Sequence, residues 1–248
     1  MQKKIMQLST IEGSFNLNTL IVDYRIDAEE EILLKNLGFK ILKCPRCSKL
    51  YTAVDGHPDM QINIIDNTKI VIHKDIDKDF AVKLKHLGKD LIFSKASLKE
   101  TYPEDIILNA VNLGNLFLHN VSYTDENLLK NVCNKNKITV KQGYTKCSTA
   151  IVNEKAFITS DKGITDVLKN EGLDVLLLPP GDIILPGLNY GFIGGCCGLI
   201  EENILAFYGD LGYYAHGALI LEFLKKHHIE PVFLRKGKLF DRGSILKL

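Results

Sequence analysis

The chain has 248 residues, 46% hydrophobic and 25% charged, with a formal net charge of +1. That length permits a sizeable core in one large or two ordinary domains, and the composition is that of a globular protein. Near-neutral charge gives no support for nucleic-acid binding. The N-terminus M-Q-K-K-I-M-Q-L-S-T lacks the apolar core of a signal peptide, and runs such as Val175–Leu178 are far too short to cross a bilayer, so a cytoplasmic protein without membrane contact is expected.

One order of elements recurs along the chain: apolar strand, polar turn, second apolar strand, helix, glycine, third strand. It begins with F-N-L-N-T-L-I-V-D-Y-R, the helix A-E-E-E-I-L-L-K-N-L-G ending in Gly38, and F-K-I-L-K-C-P. Next come I-N-I-I-D-N-T-K-I-V-I-H, D-F-A-V-K-L-K-H-L-G ending in Gly88, and K-D-L-I-F-S. The third set is A-V-N-L-G-N-L-F-L-H-N, T-D-E-N-L-L-K-N-V-C-N and K-I-T-V-K, with Asn134 or Asn136 expected in the glycine's place at the helix end. S-T-A-I-V-N-E-K-A-F-I-T-S, G-I-T-D-V-L-K-N-E-G ending in Gly172, and L-D-V-L-L-L-P-P make the fourth. The fifth is G-L-I-E-E-N-I-L-A-F-Y-G, A-H-G-A-L-I-L-E-F-L-K-K-H-H and I-E-P-V-F-L.

The hairpin turns fall near Asn18, Asn67, Gly114, Glu154 and Glu202, roughly 40 to 50 residues apart as in repeat arrays. A single ββαβ unit cannot bury both its sheet and its helix stripe, whereas five around an axis can, with few exposed edges. The expected fold is therefore α/β, a five-bladed ββαβ propeller in one domain over residues 1–248, with the tail L-F-D-R-G-S-I-L-K-L closing the ring. An ordinary αβ sandwich accounts for the strands and helices but not for their recurring order.

Closure gathers the residues just before each hairpin at one mouth of the ring. These are Asn16 and Asn18; His57 and Asp59 in G-H-P-D-M; Asn109 and Asn112; Cys147 and Ser148 in Q-G-Y-T-K-C-S; and Cys196 and Cys197 in G-F-I-G-G-C-C-G. Thiol, imidazole and carboxylate then face one another, the set that nucleophilic catalysis needs. Taken singly, each has a plainer reading. Cys147 resembles any small apolar strand residue, and H-P-D an ordinary turn in which Pro58 biases His57 towards extended backbone.

G-H-P-D-M-Q-I-N-I-I-D resembles the H-x-D segment of the pentein, or guanidine-group-modifying, superfamily, and most the G-H-x-D-M stretch of agmatine deiminases. The phrases G-F-I-G-G-x-x-G and D-x-G-S-I resemble a bacterial branch of that fold described as a domain of unknown function. The resemblance implies a five-bladed propeller and a hydrolase or transferase acting on a C–N bond of an amidine-like small molecule. It implies Cys147 as nucleophile, His57 as acid and base, and Asp59 as the grip on the cationic N–H groups. Asn109, Asn112 and Cys197 are the further substrate contacts expected, with Cys197 also the alternative nucleophile. Characterised relatives carry two more gripping acids. Here Cys196/Cys197 and Asn16/Asn18 stand at those mouth positions, with Asp55, Asp161, Asp182 and Asp210 nearby in sequence. The superfamily also contains a non-catalytic translation factor, so a binding protein on the same ring is the alternative.

Neither cofactor nor metal is expected. Cys44-Pro-Arg-Cys47 lacks a second pair at zinc-site spacing and reads as loop cysteines. His73, His86, His119, His216, His227 and His228 lack partners at metal spacing and read as surface or satisfied residues, and Asp241 with Ser244 as a structural turn at ring closure.

Overall fold

The computed structural model describes residues 18–248. Its strands form five separate three-stranded sheets. In the first, β1 (Thr19–Asp23) pairs in parallel with β2 (Lys40–Cys44) across helix α1 (Ala28–Asn36). The second follows a one-turn helix α2 (Pro58–Gln61) and comprises β3 (Ile62–Ile64), β4 (Lys69–Ile72), α3 (Lys78–His86) and β5 (Asp90–Phe93). The third has β6 (Val111–Leu113), β7 (Leu116–His119), α4 (Glu126–Asn131) and β8 (Asn136–Thr139), and the fourth β9 (Thr149–Asn153), β10 (Ala156–Thr159), α5 (Lys162–Asn170) and β11 (Asp174–Leu177). The fifth has β12 (Cys197–Glu201), β13 (Ile204–Phe207), α6 (Gly217–Lys226) and β14 (Glu230–Phe233). In every sheet the middle strand is antiparallel to one neighbour and parallel to the other, the latter reached through the helix.

The helices start and stop where their sequences direct. Asp77 and Asp161 accept the backbone N–H groups of Phe80 and Ile164 as N-caps. Gly38, Gly88 and Gly172 take positive φ just past the helix ends. In the fifth unit His228 holds that conformation, at φ 57°. The expected asparagine in the third does not: neither Asn134 nor Asn136 has positive φ, and Asn136 opens β8.

The first sheet corrects the expected hairpin near Asn18. The antiparallel partner of β1 comes from the far end of the chain, β15 (Leu246–Lys247), with Leu20 opposite Lys247 and Ile21 opposite Leu246. The tail thus fills the place that the first hairpin strand was assigned, and Asn16 lies outside the described residues.

The core shows how the units join. Each apolar cluster spans two consecutive sheets: Ile21 and Cys44 pack with Ile62 and Ile70, Val71 with Phe117, Val111 and Leu118 with Phe157, and Ala150 and Ile158 with Leu205 and Phe207. The fifth returns to the start, placing Leu20 and Val22 with Ile200, Ala206 and Ile245. The circle is closed by apolar burial as well as by strand pairing. Cys44 and Cys47 are buried in two of these clusters rather than free in a loop. His119 is buried and satisfied by the Thr124 hydroxyl and the Gly143 carbonyl, whereas His73, read as surface or satisfied, is buried with neither ring nitrogen hydrogen-bonded. No helix among the described residues is long and apolar enough to cross a membrane.

Candidate active site

Pro58 at the first position of α2 holds His57 in extended backbone, φ −65° and ψ 118°, as its N-cap. Asp59 follows in the first turn, and its N–H donates to the Gly243 carbonyl of the C-terminal loop. That loop can lie against His57 because Gly243 has no side chain: at φ +66° a Cβ there would sit 2.2 Å from that of His57. From the other direction, Asn109 Oδ1 accepts the backbone N–H groups of Lys146 and Cys147 at 2.9 and 3.2 Å, fixing the turn before β9. One ring nitrogen of His57, one carboxylate oxygen of Asp59 and the Cys147 sulfur consequently lie within 4.8 Å of one another, all three residues buried.

The Cys147 thiol donates to Asp59 Oδ2 at 3.2 Å and accepts from Asn109 Nδ2 at 3.1 Å. The same Asp59 oxygen accepts from Ser244 Oγ at 2.8 Å, and Lys146 Nζ donates to that hydroxyl at 2.8 Å. The His57 ring sits between two carboxylates, with Nε2 4.0 Å from Asp23 and Nδ1 3.8 Å from Asp241. Neither ring nitrogen, nor Asp59 Oδ1, has a hydrogen-bond partner. Buried polar atoms are rarely left so, and these three leave hydrogen-bonding capacity in one small volume.

The electrostatics keep the thiol protonated. Burial pushes Cys147 well above its ordinary range, the Asp59 and Asp241 charges push it further, and only the Asn109 N–H opposes them. Asp241 is itself raised by burial, against His57 and the backbone N–H of Phe192. A cation entering here would stabilise both a carboxylate and a thiolate.

His57, Cys147 and Asp241 line a cavity of about 440 Å³ with Tyr51, Tyr144 and Phe192. Asp59 lies behind the thiol and lines a different cavity, of about 280 Å³, together with Asn112, Lys146 and Cys197. Of the expected site residues, then, His57, Asp59, Asn109 and Cys147 converge. Asn112 instead donates to the Ile64 carbonyl and accepts from Lys135, and Cys197 Sγ donates to the Ile193 carbonyl. Burial raises the Cys197 pKa to about 12. Cys196 is also fully buried, its thiol on the Phe192 carbonyl. The exposed Asn18 side chain donates to Glu201, away from the site.

The acids sort differently from their sequence reading. Asp161 caps α5, Asp210 caps a short 3-10 turn, and Asp182 pairs with Lys238 near the surface. Asp55 is buried but held by Arg46 and Arg25. Asp23, missed in the sequence, reaches His57 but grips the Arg25 guanidinium through both oxygens. Asp241, read as a turn residue, is the acid that faces the cavity, and no lysine or arginine among the described residues pairs with it. Its signal was the D-R-G-S tail, whose position at ring closure brings it to the axis.

A family model described as a family of unknown function (DUF6873) matches residues 21–246. No curated protein matches in sequence. Among solved structures, the inosamine-phosphate amidinotransferase of Streptomyces griseus superposes with a TM-score of 0.56 at 12% identity over 88% of each chain. DDAH from Pseudomonas aeruginosa complexed with citrulline gives 0.53 at 8% identity, over 88% of this chain and 92% of that one. An agmatine deiminase of C. jejuni gives 0.52 at 14% identity, over 87% and 74%. Those likenesses establish the architecture as the five-bladed pentein fold, and with the match across nearly all of its length the chain belongs to the family DUF6873.

Proposed function

We propose that this protein is a cysteine-dependent enzyme that attacks the central carbon of an amidine or guanidine group in a small molecule and cleaves one of its C–N bonds. The observation that carries the reading is the convergence of the Cys147 thiol, the His57 ring and Asp59 within 4.8 Å, beside a cavity faced by Asp241. The structural neighbours named as an amidinotransferase and an agmatine deiminase support it by analogy of fold.

Each residue has a definite task in this reading. Asp241 pairs with the cationic N–H groups of the substrate. That charge lowers the Cys147 pKa, and the thiol proton passes to His57 as sulfur bonds to carbon. Asn109 keeps its N–H on the sulfur. His57 returns the proton to the departing nitrogen, which leaves as an amine while the carbon stays on sulfur. Water, or a second amine in a transferase, then displaces the sulfur with His57 taking its proton, and the free thiol is regenerated. Asp59 receives the thiol S–H in the resting site, and Asp23 and Asp241, on either side of the ring, stabilise the imidazolium.

A cationic warhead tests this directly. 2-Chloroacetamidine at neutral pH should label Cys147 selectively, forming a thioether and releasing chloride, and His57→Ala should slow that labelling at least about tenfold. One observation favours a second reading, a binding protein on the same scaffold: the resting thiol is held protonated. Equal, slow labelling of Cys147 and the exposed Cys133 in the folded protein would favour that reading over catalysis.

A further inference from the structure

Among the described residues lining the cavity beside Cys147, His57 and Asp241 are the only basic and carboxylate side chains. Apart from Asn189, its other walls are apolar or aromatic: Val54, Leu185 and Leu188 with the rings of Tyr51, Tyr144, Tyr190 and Phe192. Tyr144 and Phe192 stack at 6.1 Å and 27°, and Tyr190 meets Phe192 edge-on at 6.4 Å. The Tyr144 hydroxyl is already engaged, donating to the buried Asp105, so its ring is what it offers a ligand. Leu188 and Tyr190 remain about half exposed at the rim, 49% and 43%. No lysine or arginine is among the described residues lining this cavity.

From this we infer that the substrate carries its amidine or guanidine group on an uncharged apolar or aromatic tail. The inference rests on the reading of Cys147 and Asp241 given above. A carboxylate tail, as on an amino acid, would leave water for a wall that offers it no cation, at a cost that pairing does not repay. A flat apolar tail would bury its surface against rings arranged for edge and face contact. Specificity then arises at the mouth and chemistry at the floor, on separate residues.

Three chloroacetamidines differing only in the N-substituent separate the two claims, since all share one warhead. The expected order of Cys147 labelling is benzyl faster than methyl by about tenfold, the effect of burying a ring's worth of apolar surface, and carboxypropyl no faster than methyl. Leu188→Arg, at an exposed position, should narrow the gap by accelerating the carboxypropyl reagent. Carboxypropyl labelling equal to or faster than benzyl would overturn the tail inference while leaving the amidine site intact. Failure of all three to label Cys147 faster than Cys133 would instead overturn the amidine reading, and the tail inference with it.

Discussion

Asn109 ties three parts of the site together. Its carbonyl oxygen positions the Cys147 backbone, and its amide donates to both the thiol and the Asp59 carbonyl. A hydrogen bond to a charged group contributes about 1.5–3 kcal/mol, so Asn109→Ala should slow amidine labelling of Cys147 by at least about tenfold, measured at pH 7. Asp241 acts through charge. Asp241→Asn removes a negative neighbour that raises the thiol pKa. The variant should therefore react faster than wild type with a neutral chloroacetamide while losing its preference for the amidine, and competition between the two reagents reads both effects. For wild type the sign of the shift fixes the pH profile. A thiol held well above its ordinary value stays protonated at neutrality, so neutral alkylation should remain slow through pH 9 and rise only beyond it. His57, Asp59 and Cys147 could be found in the sequence because each precedes a hairpin or strand in a repeating frame. Asp23 and Lys146 could not, since an acid ending a buried strand and a lysine beside a cysteine have commoner readings.

Among the elements, the C-terminal loop decides whether the site assembles. It delivers Asp241 and Ser244, and it packs on His57 through Gly243. Gly243→Ala must place a Cβ at positive φ and in collision with His57, so it should cost about 3 kcal/mol in urea unfolding and also slow labelling. Asp77→Ala, which removes only the N-cap of α3, provides the contrast: about 1 kcal/mol of stability with the labelling rate unchanged. Helices and second strands were legible because each has its own period and stop signal. The tail was expected to close the ring, and β15 does so; that it takes the place of a first hairpin beside β1 was not legible, because the pairing is non-local and β15 lies more than 200 residues further along the chain. The cavity's aromatic wall was equally hidden, since Tyr51, Tyr144 and Phe192 come from three loops with no shared motif.

For the whole molecule, the closed circle makes stability and site one property. The fifth apolar cluster joins the last sheet to the first through Leu20, Val22 and Ile245, so deleting residues 244–248 should destabilise the fold by at least about 3 kcal/mol and abolish selective labelling. Acid acts on the fold through two buried imidazoles. Burial lowers the pKa of both His73 and His119 to about 4. Each stays neutral in the fold while its unfolded counterpart gains a proton near pH 6.5, so stability is present above that pH and is lost as pH falls towards 4. Between pH 7 and pH 5 each histidine should contribute a loss of about 2 kcal/mol, visible as a falling urea midpoint that shrinks when His119 is replaced by Gln. The central claim remains electrostatic: a thiol kept silent by burial, and further by the Asp59 and Asp241 carboxylates, becomes reactive when a cation arrives. Its most direct test compares 2-chloroacetamidine with 2-chloroacetamide, nearly equal in shape, on Cys147 of the folded and the urea-unfolded protein at pH 7. At least about a hundredfold greater preference for the amidine in the folded state, lost in urea, is the predicted result; the same ratio in both states would contradict the account.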